Sequence, residues 1–269
     1  MLLCTSQPSH SQSNAQHFIA DLNQEALEHR AVNHPYLTRL ASGSFTDPSA
    51  VLKDFAFQYL AYSQDFLRYL TATISKLESR QHRDWLVENL IEESGHIDEH
   101  EAKELTSIGI KMEWVQGVPH PLLFMRFLDA IGYDKSYRKQ NDFSDEAKIW
   151  SHMFLNACSA GSAAQSLGAM GLGTENIVKY IYKPILQAIK NFLNVSEKDR
   201  VFFDLHALLD DEHGEIINNI AVEYARYDRH REMIREGMLM ALNLRAGFFD
   251  AMMIRADTIV SQPLEAKAS

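Results

Sequence analysis

An all-α fold is predicted by three features of this sequence. Glycine and proline are sparse, 12 and 7 in 269 residues. No stretch alternates β-branched and polar residues over the length of a strand. Apolar residues instead recur at three- and four-residue spacing along most of the chain, the period of a helix face. Hydrophobic residues make up 46% of the total, enough for one sizeable core and short of what would demand two domains. Seven or so helices around one core, with no internal repeat or linker, predict a single all-α domain.

Residues 1–14 are rich in Ser, Gln and His and read as a disordered arm, without the basic start and apolar run of a secretory signal. A first helix is expected over 15–31, where Asn33-His34-Pro35 breaks the chain. Ser42-Gly43-Ser44 leads into Thr46-Asp47-Pro48, a cap followed by proline in the first turn. From there an amphipathic helix runs to about residue 78, carrying Phe55, Phe57, Tyr59, Leu60, Tyr62, Phe66, Tyr69 and Leu70. This aromatic stripe reads as core, with Tyr59 and Tyr62 as the exceptions that would line a pocket. A third helix is predicted over 80–108. Gly117-Val-Pro-His-Pro precedes a short one at 122–131, and a loop at 142–145 precedes another through about 170. Gly171-Leu-Gly-Thr174 is expected to cap the next, 175–193. Ser196 starts a long helix, and a last one covers 229–260. The helical domain is thus 15–260, and 261–269 is a flexible tail.

The net charge of −10 and pI near 5.6 argue against nucleic acid or an anionic membrane as partner, and no stretch is expected to span a bilayer. Two cysteines, Cys4 and Cys158, are too few for a disulfide framework or a thiolate zinc site. A cytoplasmic protein is the expectation.

Chemistry is concentrated in His206-x3-Asp210-x2-His213. Residues four and seven apart share one stripe of a helix, so two imidazoles and a carboxylate are expected side by side. Leu205, Leu208 and Leu209 point that face towards burial, and a buried His-Asp-His cluster needs a ligand to satisfy it. Such a face normally needs carboxylates from facing helices. The third helix offers Glu92-Glu93-Ser-Gly-His96-Ile-Asp-Glu-His100, in which Glu93 stands three residues before His96 and seven before His100. Either histidine would share a helical stripe with Glu93. Glu175, in an otherwise small and apolar stretch, is either a further ligand or a carboxylate stabilising a helix N-terminus. Mixed nitrogen and oxygen donors without thiolate suit iron or manganese better than a structural zinc.

Taken together, Asn89-Leu-Ile-Glu-Glu93-Ser-Gly…His, Gly-Thr-Glu175 and His206-x3-Asp210-x2-His213 resemble the haem-oxygenase-like di-iron oxidase and oxygenase superfamily. The resemblance extends to His34-Pro-Tyr-Leu and Phe57-Gln-Tyr-Leu-Ala-Tyr62. It implies a seven-helix haem-oxygenase-like bundle without haem, holding two Fe(II), with O2 as co-substrate. Glu93, Glu175, His206, Asp210 and His213 fall on ligand positions, and the sixth is His96 or His100. Three imidazoles and three carboxylates on two Fe(II) leave about one positive charge and open positions for O2 and substrate. The expected chemistry is reduction of O2 to a peroxo-type species that attacks a small amine- or carboxylate-bearing molecule, by N-oxygenation, oxidative C–C cleavage or decarboxylation of an amino acid or fatty acid. An external electron donor and a homodimer are further implications. One branch makes p-aminobenzoate from its own tyrosine with a nearby lysine. This chain carries Leu37 and Ile185 near those positions, against that chemistry. Haem oxygenase and thiaminase-like relatives share the fold but lack this ligand set. The rival from another class is a helical module that stores iron or recruits a partner. Ferritin-like bundles usually place Glu-x-x-His twice, whereas His-x3-Asp-x2-His occupies the second slot here. A zinc hydrolase is a third reading, with more ligands than a mononuclear site needs.

Overall fold

A computed structural model of the chain describes residues 10–259 except 209–211, and leaves out the side chains of residues 10–12, 208, 212 and 213. Helix α1 (His10–Glu28) starts inside the stretch expected to be a disordered arm. His34 caps α2 (Pro35–Ser42), its ring accepting from the Tyr36 amide. Asp47 caps α3 (Pro48–Ser63) at 2.9 Å from the Ala50 amide, as the Thr-Asp-Pro signal predicts. The aromatic run does not continue as one helix: the chain turns at Gln64 and Asp65 before α4 (Phe66–Lys76). Ser79 caps α5 (Arg80–Glu93) and Asp98 caps α6 (Glu99–Ser107). Next come α7 (Met112–Val115), α8 (His120–Ala130), α9 (Lys135–Gln140), α10 (Asp145–Ala160) and α11 (Ala163–Leu167). A π-helical segment (Gly168–Glu175) leads into α12 (Asn176–Phe192). The chain closes with α13 (Glu197–Leu208), α14 (Glu212–Tyr224) and α15 (Asp228–Thr258). The described residues contain no strand, and their helices outnumber the seven expected because turns divide the ones predicted to end near 78, 108 and 170 and because α2, α7 and α9 form where no helix is predicted.

Gly171-Leu-Gly-Thr174 does not cap a helix. The chain stays helical from Ala163 to Phe192, widening to π geometry in between. Gly171 packs against the Ile217 side chain of α14 and Gly173 against Ala241 and Met238 of α15, while neighbouring Gly168 and Gly237 serve a helix crossing. A Cβ on Gly168 would lie 2.0 Å from the Ile234 carbonyl oxygen, and one on Gly237 would lie 1.9 Å from that of Gln165. Backbone therefore meets backbone where α15 passes over α11 and the π segment, an approach only glycine permits.

The aromatic stripe is core, and Tyr59 and Tyr62, expected to be its pocket-lining exceptions, are buried with it. Tyr59, Tyr62 and Tyr69 are buried against Trp150 and Phe154 of α10 and Phe248 of α15. Tyr62 stacks on Trp150 with centroids 4.1 Å apart. Each large apolar side chain so buried contributes roughly 1.5–3 kcal/mol. Two contacts fasten the outer helices: Arg255 Nε donates to Asp54 at 2.8 Å, tying α15 to α3, and His82 meets Glu223 at 3.0 Å, tying α5 to α14.

Contrary to expectation, α15 is long and apolar enough, by length and composition, to cross a membrane. Its apolar window is 56% buried inside the fold. Residues such as Ile234, Met238, Leu242, Phe248 and Phe249 pack into the core, which accounts for the composition.

Candidate metal centre

Glu93 is the last residue of α5 and only 3% exposed. Helix α5 brings it inward on the stripe of His82, Leu86 and Asn89, all buried. Asn89 lies one turn earlier, with neither amide atom hydrogen-bonded within the protein. Immediately after Glu93 the chain reverses. Gly95 takes φ +93°, and a Cβ there would stand 2.5 Å from the Val118 carbonyl carbon. Its carbonyl accepts from the Gly117 amide at 2.7 Å. The α5–α6 corner is thereby clamped onto the strap 117–119, which delivers His120 to the N-terminus of α8.

His120 Nδ1 lies 2.9 Å from Glu93 Oε2, yet without hydrogen-bond alignment. Two ligands bonded at ~2.1 Å and at right angles to one cation stand ~3 Å apart, so the spacing suits a shared ion as well as a direct contact. From the other side comes His206 on α13, its ring T-shaped to that of His120 at 5.1 Å. One donor atom from each of Glu93, His120 and His206 lies within 4.8 Å of the others. The Phe202 carbonyl accepts from His206 Nδ1 at 2.7 Å. A carbonyl cannot donate, so the proton sits on Nδ1 and Nε2 is the ring's lone-pair nitrogen, the tautomer that ligating histidines use. Phe202, at 4.4 Å, and Tyr182, at 5.3 Å, pack on the same ring. The donor set, two imidazoles and one carboxylate with the imidazole tautomer fixed, fits a divalent iron.

Of the residues singled out from the sequence, Glu93 and His206 are brought together. His120 was not anticipated. It has no helical partner at three or four residues, and the Pro-His-Pro around it reads as a connection. His96 and His100 are exposed and do not join the group. Their predicted stripe required α5 to continue, and it ends at Glu93. Glu175 is buried at the end of the π segment, outside the group. Asp210 and the side chain of His213 lie outside the described residues.

Solved structures place this architecture in a class. A domain of unknown function with a haem oxygenase-like fold from Shewanella denitrificans OS217 aligns with 17% identity and a TM-score of 0.67, covering 96% of this chain and 98% of its own. A CADD-like protein of unknown function from Nostoc punctiforme PCC 73102 aligns with 15% identity and a TM-score of 0.68, covering 93% and 100%. A TenA homologue from Pseudomonas syringae pv. tomato DC3000 aligns with 14% identity and a TM-score of 0.67, covering 93% and 98%. At these identities the likeness establishes the haem oxygenase-like fold. No curated protein matches the sequence. Residues 53–246 match the family described as iron-containing redox enzyme, and the chain belongs to that family.

Proposed function

We propose that the protein is an O2-dependent, non-haem di-iron oxidase or oxygenase acting on a small amine- or carboxylate-bearing molecule. The observation that carries this reading is the convergence of Glu93, His120 and His206 from three separate helices in a member of an iron-containing redox family. These three side chains hold one iron. Glu175, Asp210 and His213 are assigned to the second, on the strength of the His-x3-Asp-x2-His spacing. His96 or His100 would reach Glu93 only through refolding of the Gly95 corner. Iron, when bound, supplies activation of O2; manganese is the alternative ion for such donors. The protein contributes orientation and exclusion of water. The Phe202 carbonyl fixes the His206 ring, and Phe202 and Tyr182 wall it on its apolar side. An external electron donor, a cytoplasmic setting and a homodimer belong to the same reading.

Anaerobic Fe(II) titration followed by rapid mixing with O2 tests it. Two irons per chain, a transient visible absorbance and O2 consumption are expected, all lost in His206→Ala. Tight retention of one zinc with no reaction towards O2 would instead indicate a hydrolytic or binding role, and many irons per chain with a mineral core would indicate storage.

A further inference from the structure

Helix α15 carries five arginines, and the surroundings of three of them differ sharply. Arg235 pairs with Glu25 and Arg255 with Asp54. Arg245, between Leu244 and Ala246, is only 2% exposed and forms no ion pair among the described residues. Its guanidinium lies over the faces of Trp150 at 5.0 Å and Tyr62 at 5.3 Å. Among the described residues its one polar contact is long, Nη1 donating to Tyr59 Oη at 3.5 Å, and Nε has no partner there. Two further buried groups in this cluster, Tyr62 Oη and Thr174 Oγ1, face each other without reaching full hydrogen-bond geometry and have no better polar partner among the described residues. Guanidinium stays charged in proteins, and burial pushes the Tyr62 and Tyr182 phenols well above their ordinary range, so they remain neutral. A buried cation with no counter-charge is strongly disfavoured. The aromatic faces offset only part of that cost, and they meet the face of the guanidinium rather than its hydrogen-bonding edge.

The cluster adjoins the candidate metal centre. Tyr59 Oη and Tyr182 Oη are 2.8 Å apart, the Tyr182 ring packs on His206, and Thr174 directly precedes Glu175. We propose that Arg245 anchors the carboxylate of an organic-acid substrate, with Tyr59, Tyr62 and Thr174 adding hydrogen bonds and the oxidisable part lying on the Tyr182 side, where His206 is. The proposal rests on the reading of that centre as the place of reaction. A carboxylate is planar and singly charged, matching one planar fork bidentately. A phosphate dianion would bring an unmatched charge into the interior, and an amine without a carboxylate would set a second cation beside the first. Amine substrates are thereby narrowed to amino acids.

The test uses metal-free protein with Trp85→Phe and Trp114→Phe, which leaves Trp150, stacked beneath the guanidinium, as the sole tryptophan. Acetate, hexanoate and decanoate are each titrated against the matching primary amide, following Trp150 emission and Tm. At least one acid is expected to bind about tenfold or more tighter than its amide, the scale of a charge-assisted hydrogen bond, and to raise Tm. Arg245→Met abolishes that preference without lowering the Tm of the unliganded protein, and Arg245→Lys, which keeps the charge but not the fork, weakens it. No acid-over-amide preference in the parent protein, or a preference that survives in whichever of the two variants folds, overturns the proposal. Iron is left out, so the two ideas fail separately. Acid binding by a chain that never takes up two irons sinks the oxygenase reading alone; iron uptake without acid preference sinks the anchor alone.

Discussion

His120 and Glu93 meet in the candidate centre, and each has a feature that an isolated ion pair would not require. Glu93 is nearly inaccessible, and His120 Nδ1 approaches it at 2.9 Å without hydrogen-bond alignment. If they share an ion with His206, removing the His120 imidazole takes away one bond to that ion. His120→Ala should then weaken Fe(II) binding by more than the roughly 10- to 100-fold that loss of an outer-sphere partner costs. Measuring His96→Ala and His100→Ala in parallel makes the result diagnostic. Both side chains are exposed, so both variants should bind the first iron like the parent protein. A larger loss in either than in His120→Ala would mean that the Gly95 corner refolds on metal binding and brings that histidine to Glu93. The site was half legible at this scale. Glu93 and His206 are each singled out by a helical spacing to other candidates, but α5 ends at Glu93 and it is the convergence of α5 with α13 and α8 that brings the two together. His120 stands alone in its segment, and only the clamp of 95 on 117–119 brings it in. Asp210 and His213, the most suggestive spacing in the chain, fall where the structure is not described.

The elements were legible where local chemistry decides them. Asp47 and Pro48 start α3 as their types dictate, and the aromatic stripe of α3 and α4 faces the core. Two departures from the predicted elements lie at glycines. Gly95 falls inside the helix predicted over 80–108, whereas together with the Asp98 cap it marks a corner. Gly171 and Gly173 were treated as a cap when close packing, a property of two elements at once, required them. The corner makes a testable commitment. Gly95 has a left-handed backbone and no room for a Cβ beside Val118. Gly95→Ala should cost roughly 1–3 kcal/mol of stability, the range for a residue forced into such a conformation, and should weaken Fe(II) binding because the strap carrying His120 must shift. Chemical denaturation and iron titration of the same variant check both parts. A stability loss with unchanged iron affinity would show that His120 does not depend on the corner, and would weaken its assignment as a ligand.

Across the whole molecule, the three donors come from α5, α8 and α13, at positions 93, 120 and 206. No short peptide contains the set, so the unfolded chain has no comparable site and an ion bound there acts only on the folded state. Mass action then sets the size of the effect: at free Fe(II) one hundred times the dissociation constant, folding gains about 2.7 kcal/mol. For a domain of this size each kcal/mol moves Tm by roughly 2–4 °C, so anaerobic Fe(II) should raise Tm by about 5–10 °C per saturated site. The same titration on His206→Ala separates this from weak binding to surface carboxylates, which the variant retains. A shift present in the parent protein and absent in the variant ties the stabilisation to the junction of the three helices. An equal shift in both would place the iron elsewhere and remove the ground for reading this junction as a metal centre.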